Sequence, residues 1–576
     1  MSVALRSRPL ATHPSAALPF ARALLLFLST LCLGTTTARA FSCPVATAHA
    51  PTDAEQAYLR GEFDHAATLY QTQLQQQPAE PHLIAGFSLV LLRQQKIDDA
   101  EALVRKALPQ NPNSAILLTA LGEVQFRQGL PWLASTSADK ALRLDPCYPR
   151  VRLLEARLYH LNSYYASSAK EISTAYALDP HDPDIHRQWL NTLPPARRIA
   201  ELEAYLASDT GDDPDQIRHL HTYLDFLKKQ QVTPHKACRL ISPIPATEIQ
   251  FAQLMHDATH VRAFGLDVKL NDHNARLQID TGASGLVISR SVAEHAGLQR
   301  FTSNQAGGIG SKGEVNAYTA YADSIKIGGL EFHDCEVEVL DQRNVVDSDG
   351  LIGMDVFSRF LVKLDYPMRK LALSPLPKRP DDVTPVTPTL ETAQSASDDP
   401  PVASESTPTS PSTPAASPAK PPPIARNLHD RYVDPTMKDW TPVYRVGHQL
   451  LIPTSLNQTE RRLFILDTGA FTTSISPAVA RTITKVRTND HMTVHGISGK
   501  VDEVFSADQV EFRFSNIVQK GRDVVSFENP SISKNTGLEV AGFIGATTLG
   551  QVTMTIDYRD GLVRFDYDPN RGYRHP

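Results

Sequence analysis

The spacing of apolar and polar positions changes character along the chain. Between residues 53 and 180 apolar residues recur at helical spacing, as in Leu117, Leu118, Leu121 and Val124. The pattern also repeats: Pro78, Pro112, Pro146 and Pro180 are separated by 34 residues each time. Twelve residues before them stand Ala66, Ala100, Ala134 and Ser168, and five before them Gln73, Ala107, Ala141 and Ala175. A small residue at a fixed place lets two helices approach closely, and a proline beyond the second helix stops it. The spacing therefore predicts a stacked helical array. Pro214 lies one period further on, and 181–250 reads as further helices and a connector. From about residue 260 short alternating runs punctuated by glycine take over, the pattern of strands and tight turns.

The β-patterned region is written twice. Ala275–Ser284 (ARLQIDTGAS) and Arg462–Phe471 (RLFILDTGAF) each carry Asp-Thr-Gly-Ala after an apolar strand. A glycine-rich segment follows each aspartate, Gly308-Ile309-Gly310 in the first copy and Gly496-Ile497-Ser498-Gly499 in the second. Each copy then has an apolar-apolar-glycine element, Leu351-Ile352-Gly353 and Phe543-Ile544-Gly545. Twelve residues after those glycines stand Asp365-Tyr366 and Asp557-Tyr558. The shared order is evidence of a duplicated unit. A phosphate-binding reading of Gly307–Gly310 lacks the Gly-Lys-Ser/Thr ending and the strand-to-helix setting.

The 34-residue pattern resembles the tetratricopeptide repeat family over 53–180. Where that family usually has a glycine this chain has Ser88, Gly122 and Ala156, so two of the three depart from it. The β-patterned copies resemble the small retropepsin-like unit of aspartic proteases, over 257–376 and 440–568. The fold implied is multidomain, an all-α tetratricopeptide-type array followed by two all-β retropepsin-like lobes. The resemblance implies a catalytic dyad of Asp280 and Asp467, one from each lobe. Two carboxyls a few Å apart cannot both ionise cheaply, so they share a proton, one serving as base and the other as acid. Thr281 and Thr468 are expected to bond across the lobe interface. Gly282 and Gly469 would leave room for backbone and water beside the carboxylates. Ala283 and Ala470 place no hydroxyl there, which implies a dyad less acidic than that of pepsin-like enzymes, where a Ser or Thr favours the charged form. Gly308, Gly310, Gly496 and Gly499 are expected to supply positive φ angles at flap tips. Ile352, Gly353, Ile544 and Gly545 are expected to pack beneath the catalytic loops. Asp349, Asp355, Asp365 and Asp557 read as turn or structural acids. Ser284 and Phe471, which follow the two signatures, differ, so the cleft should be asymmetric.

Composition adds location and linkage. The 576 residues hold 57 Lys and Arg against 63 Asp and Glu, a net charge of −6, without the basic stripe of a nucleic-acid binder. Residues 1–40 have no acid and four arginines, an apolar stretch Ala23–Leu33, and Ala38-Arg39-Ala40. That is the layout of a secretory signal peptide cut after Ala40, so the protein is expected to be secreted or periplasmic, with no stable membrane span once the leader is removed. Removing those arginines leaves 53 basic against 63 acidic residues, a charge of −10. Cys43, Cys147, Cys238 and Cys335 remain; spacing does not assign partners, and free or buried thiols are the default expectation for most of them. Of the 42 prolines, 14 fall in 375–423, a stretch that overlaps the linker expected over 377–430. No metal or cofactor is expected. The expected partner is a protein or peptide substrate, with a second protein possible on the array, where Trp132, Tyr164 and Tyr165 could line a groove. The alternatives are a non-cutting peptide scaffold and a dyad assembled between chains.

Overall fold

The computed structural model describes Cys43 and residues 51–570, apart from 209–211, 213, 243–244, 256–260, 312, 343–344, 346–347, 381–427, 460, 529–531 and 534–535. The expected leader, 1–40, and most of the expected linker lie outside the described residues.

Residues 53–178 form four antiparallel helix pairs: α1 (Asp53–Leu59) with α2 (Phe63–Gln76), α3 (Pro81–Arg93) with α4 (Ile97–Ala107), α5 (Ala115–Arg127) with α6 (Pro131–Leu144), and α7 (Pro149–Leu161) with α8 (Tyr165–Leu178). Ala66, Ala100 and Ala134 are completely buried where the helices touch. At Gly122 a Cβ would stand 2.6 Å from Leu154 Cδ2, so the small side chain sets how close α7 lies. Then come α9 (Pro183–Leu190), α10 (Pro195–Ala207) and α11 (Pro214–Val232). The first helices of successive pairs are tied by buried ions. Arg150 donates to Glu123 at 2.8 Å, to Asp182 at 2.6 Å and to Asp184 at 3.2 Å, and Arg93 donates to Asp184 at 2.8 Å. Burial alone would raise the Asp184 carboxyl, but the guanidinium groups of Arg93, Arg187 and Arg150 hold it well below the usual carboxylate range.

The β-region begins earlier than the expected boundary at 257. Arg239–Leu240 pairs with Leu330–Leu340, and Thr247–Gln250 pairs with Lys370–Pro375, so part of the expected helical connector is edge strand. The second half likewise starts before 440: Arg431 donates to the Asp560 carbonyl and Asp430 accepts from Ser167. Each half has its own large sheet, and a six-stranded sheet is shared. In the shared sheet Phe360–Asp365 of the first half pairs antiparallel with Thr553–Asp557 of the second, Val362 opposite Ile556. One buried apolar cluster spans both halves.

Within each half the aspartate ends a central strand. His273–Asp280 runs parallel to Gly350–Gly353, with Gly353 opposite Asp280, and Leu286–Ser289 lies antiparallel on the far side. Arg461–Leu466, just before Asp467, runs parallel to Gly542–Ile544, with Ser474–Ile475 on the far side. The apolar-apolar-glycine elements are thus the strands beside the acid strands.

The helical array touches both halves. Phe126, Trp132 and Leu161 pack with Leu451, Leu463 and Ile465 of the second half, and the Glu539 amide donates to the Arg127 carbonyl at 2.8 Å. Arg461 lies over the Trp132 ring, Arg431 over Tyr164 and Arg445 over Tyr165. These three aromatics therefore sit at the contact with the second half. On the first half, Phe226 of α11 meets Phe301 edge-on, and His235 stacks on Tyr321 with centroids 3.8 Å apart.

The expectation of mostly free thiols is corrected. Cys43 is bonded to Cys147 and Cys238 to Cys335, bridges 104 and 97 residues apart in sequence. Each partner is brought close by tertiary packing, which spacing does not encode.

Candidate active site

The two Asp-Thr-Gly-Ala loops meet at the centre of the β-region, on one chain. Each loop reverses at the end of its strand and folds its own amides around the carboxylate. Asp280 Oδ1 accepts from the Gly282 amide at 2.8 Å and the Ala283 amide at 3.2 Å. Asp467 Oδ1 accepts from the Gly469 and Ala470 amides, both at 2.9 Å. Ala283 and Ala470 thus contribute backbone donors and no hydroxyl.

The threonines hold the loops together. The Thr281 amide donates to Thr468 Oγ1 at 3.1 Å, and the Thr468 amide donates to Thr281 Oγ1 at 3.0 Å. Each hydroxyl then donates across the interface, Thr281 to the Leu466 carbonyl at 2.7 Å and Thr468 to the Ile279 carbonyl at 3.3 Å. All four bonds are buried, where an unmade bond is costly. A Cβ at Gly469 would stand 2.3 Å from Asp280 Oδ2, and one at Gly282 would stand 2.9 Å from Asp467 Cγ. Neither glycine tolerates a side chain.

The two carboxyls face each other, close enough for each to shift the other's titration. Burial, then the Asp467 charge, raise Asp280 well above the usual carboxylate range. Burial also raises Asp467, against the opposing pull of the Ala470 amide, Asp280, the Gly469 amide and His448. A buried pair of this kind holds a proton between its members.

The glycine-rich segments cross over the loops and touch. The Gly308 amide donates to Ser498 Oγ at 3.1 Å, the Ser498 amide to the Ile309 carbonyl at 3.0 Å, and the Ser311 amide to the Lys500 carbonyl at 3.1 Å. Ile309 packs into an apolar cluster of the second half and Ile497 into one of the first. The expected glycine chemistry is half corrected. Gly310 and Gly499 have φ of 136° and 87°, but Gly308 and Gly496 are not at positive φ. Close approach explains them instead. A Cβ at Gly308 would lie 2.9 Å from the Ile497 Cβ, and one at Gly496 would lie 2.4 Å from the Ile309 carbonyl oxygen.

Ile352 and Ile544 are fully buried on the strands beside the acid strands. Gly353 and Gly545 end those strands against the loops: an added Cβ would lie 2.5 Å from the Ala283 carbonyl oxygen and 2.8 Å from that of Ala470. Asp355 Oδ1 accepts from the Gly285 amide and Oδ2 from Ser284 Oγ at 2.9 Å. Asp349 accepts from the Arg276 amide, Asp365 from that of Met368 and Asp557 from that of Asp560. Phe471 does not pack beneath its loop; it is 67% exposed and lines the cleft.

The cleft has a volume of about 2990 Å³ and reaches from the two acids to α9 and α11 of the array. Two of its residues escape motif reading. His448, on the turn between Tyr444–Val446 and Gln449–Leu456, places Nε2 2.8 Å from the Gly282 carbonyl oxygen, so it links the second half to the first loop. Gln278 donates from Nε2 to the Gly469 carbonyl at 3.4 Å. The second carried no distinct signal, because its strand also holds His273, Asn274 and Arg276.

Residues 266–356 match the aspartyl protease family, and 57–123 match the tetratricopeptide repeat family. DNA damage-inducible protein 1 of Neurospora crassa is 28% identical over 139 residues, which is 22% of this chain and 30% of that protein. Its counterpart in Chaetomium globosum is 28% identical over 110 residues, 19% of this chain and 24% of that protein. The chain thus spans less than a third of the length of these curated relatives. Among solved structures, a thermophilic tetratricopeptide protein of Thermus thermophilus shares 18% identity at a TM-score of 0.25, covering 30% of this chain and 94% of its own. A retropepsin-like aspartic protease from Rickettsia conorii shares 22% identity at a TM-score of 0.18, covering 22% of this chain and 90% of its own. The chain joins a segment that matches the tetratricopeptide repeat family to a segment that matches the aspartyl protease family.

Proposed function

We propose that the protein is an exported aspartic endopeptidase whose dyad, Asp280 with Asp467, is assembled from two retropepsin-like lobes of a single chain. The observation that carries this is the meeting of two Asp-Thr-Gly loops, carboxyl to carboxyl, locked by four reciprocal threonine bonds. In the reaction a water between the carboxyls attacks the peptide carbonyl. One carboxylate takes the water proton while the protonated partner gives its proton to the carbonyl oxygen; when the tetrahedral diol collapses, the first acid passes the water's proton to the leaving amine and the partner regains a proton from a diol hydroxyl. The touching tips would close over an extended substrate and keep bulk water out. Export is supported by the leader-like first forty residues and by two disulfides, which persist in oxidising compartments.

The array serves first as a brace, since it contacts both lobes and borders the cleft. Cleavage of an unfolded protein substrate from pH 3 to 8 tests the proposal. Asp280→Asn and Asp467→Asn should each abolish cutting, and a pepstatin-like transition-state mimic should bind the wild type. Full activity in either variant overturns the shared dyad. With both carboxyls raised, activity should peak above pH 3; an optimum below that would contradict the site as described.

A further inference from the structure

We infer that Gln278 makes the side-chain pocket on one side of the scissile bond selective for residues that carry a hydrogen-bond donor, while Ile465 keeps the opposite pocket apolar. The inference rests on the endopeptidase reading and names its substrate class. Gln278 and Ile465 each stand two residues before an aspartate, so strand alternation puts them on the face that carries the acid. Both are buried and both line the cleft.

Register extends the correspondence into a row across each sheet. In the first half the row runs Gln278, Leu351, Val287, Glu338. In the second it runs Ile465, Phe543, Ser474, Val525. All eight residues line the cleft. The first row is thus polar at both ends, and at the same two places the second row is apolar.

The Gln278 amide has a fixed orientation. Its Nε2 donates to the Gly469 carbonyl, which only an N–H can satisfy, so Oε1 is the free end. Oε1 is buried with no donor, in a row that continues through the apolar Leu351 and Val287. A buried acceptor in such a setting gains most from a donor brought by a ligand, and a side chain lacking one leaves it unpaired. Seryl, threonyl, asparaginyl and glutaminyl side chains bring that donor; leucyl and valyl side chains of similar size do not.

The test uses peptides in which each residue flanking the cut is exchanged within the near-isosteric pairs Asn/Leu and Thr/Val. The wild type should prefer the donor-bearing member at least about tenfold in kcat/KM at one of the two positions, and the apolar member at the other. Gln278→Leu should reverse the first preference and spare the second, and Ile465→Gln should create a donor preference at the second position. Equal preferences in wild type and Gln278→Leu, with cleavage intact, overturn the inference and leave the endopeptidase reading standing. The same pairs built into statine-type peptides read the pocket by calorimetric binding without turnover. Binding that ignores the exchange again overturns the inference. The absence of both cleavage and statine binding in the wild type would overturn the endopeptidase reading beneath it.

Discussion

Arg276 and Leu463 occupy the same place in the two β halves, four residues before the aspartate, yet they meet different surroundings. Arg276 lies at the surface and pairs with Asp267 at 2.8 Å. Leu463 is buried beneath the array with Trp132 and Phe126. The same contrast recurs along the rows that start beside the acids, where Gln278 corresponds to Ile465 and Glu338 to Val525. The difference teaches that the duplicated units share what the chemistry demands and diverge where their neighbours differ. The loop amides, the threonine bonds and the glycines match almost atom for atom; the residues around them do not.

The strongest way to break the comparison is at the acids. Asp280→Asn and Asp467→Asn should each lower kcat by about 10²–10⁴ or more, the usual contribution of a positioned acid or base. A large loss in one and none in the other would make the halves chemically unequal. Next comes an exchange at the place four residues before each acid, followed by urea unfolding. Leu463→Arg would bury a charge without a partner under the array and should cost on the order of 3–5 kcal/mol. Arg276→Leu removes only an exposed pair, worth about 0–1 kcal/mol. Comparable losses would mean that the array is not seated on the second half as described.

The comparison is sharpened by Thr281→Val and Thr468→Val. Each removes one hydroxyl that both donates and accepts, and should cost about 1–3 kcal/mol. Both variants should also lower kcat more than they raise KM, because the loops lose their alignment. The last prediction is a pH dependence carried by Glu338 of the first half. Burial, and then the neighbouring Glu336, hold the Glu338 carboxyl up to about 7, against about 4.3 in an unfolded chain. The folded protein therefore keeps this proton more tightly than the unfolded chain. The stabilisation is fully present below about pH 4.3 and is lost as pH rises through about 7. Melting temperature measured from pH 4 to 8 should fall less steeply in Glu338→Gln than in the wild type; parallel curves would show that Glu338 is solvated like an ordinary glutamate.

The chemistry was legible in the sequence because it depends on short, rigid spacings. Asp280-Thr281-Gly282-Ala283 and Asp467-Thr468-Gly469-Ala470 fix their own loop geometry, and the 34-residue proline spacing marks the helix pairs. What was hidden depends on contacts between distant segments. No spacing says that Cys43 meets Cys147, that Trp132 packs on a β half, or that His448 reaches the Gly282 carbonyl. Gly308 and Gly496 were noticed for a conformational reason and are needed for a steric one, which appears only when the opposite tip is in place.

The shared six-stranded sheet has a consequence for how the molecule would come apart. All four cysteines that bond lie before residue 336, so no disulfide joins the first half to the second. If a protease cut the proline-rich stretch between 381 and 427, two polypeptides would result. They would still be united by the Phe360–Asp365 and Thr553–Asp557 ladder and by the Arg379–Asp560 ion pair. A nicked preparation would therefore run as two bands under denaturing conditions and elute as one particle under native ones, with its pair of aspartates still face to face.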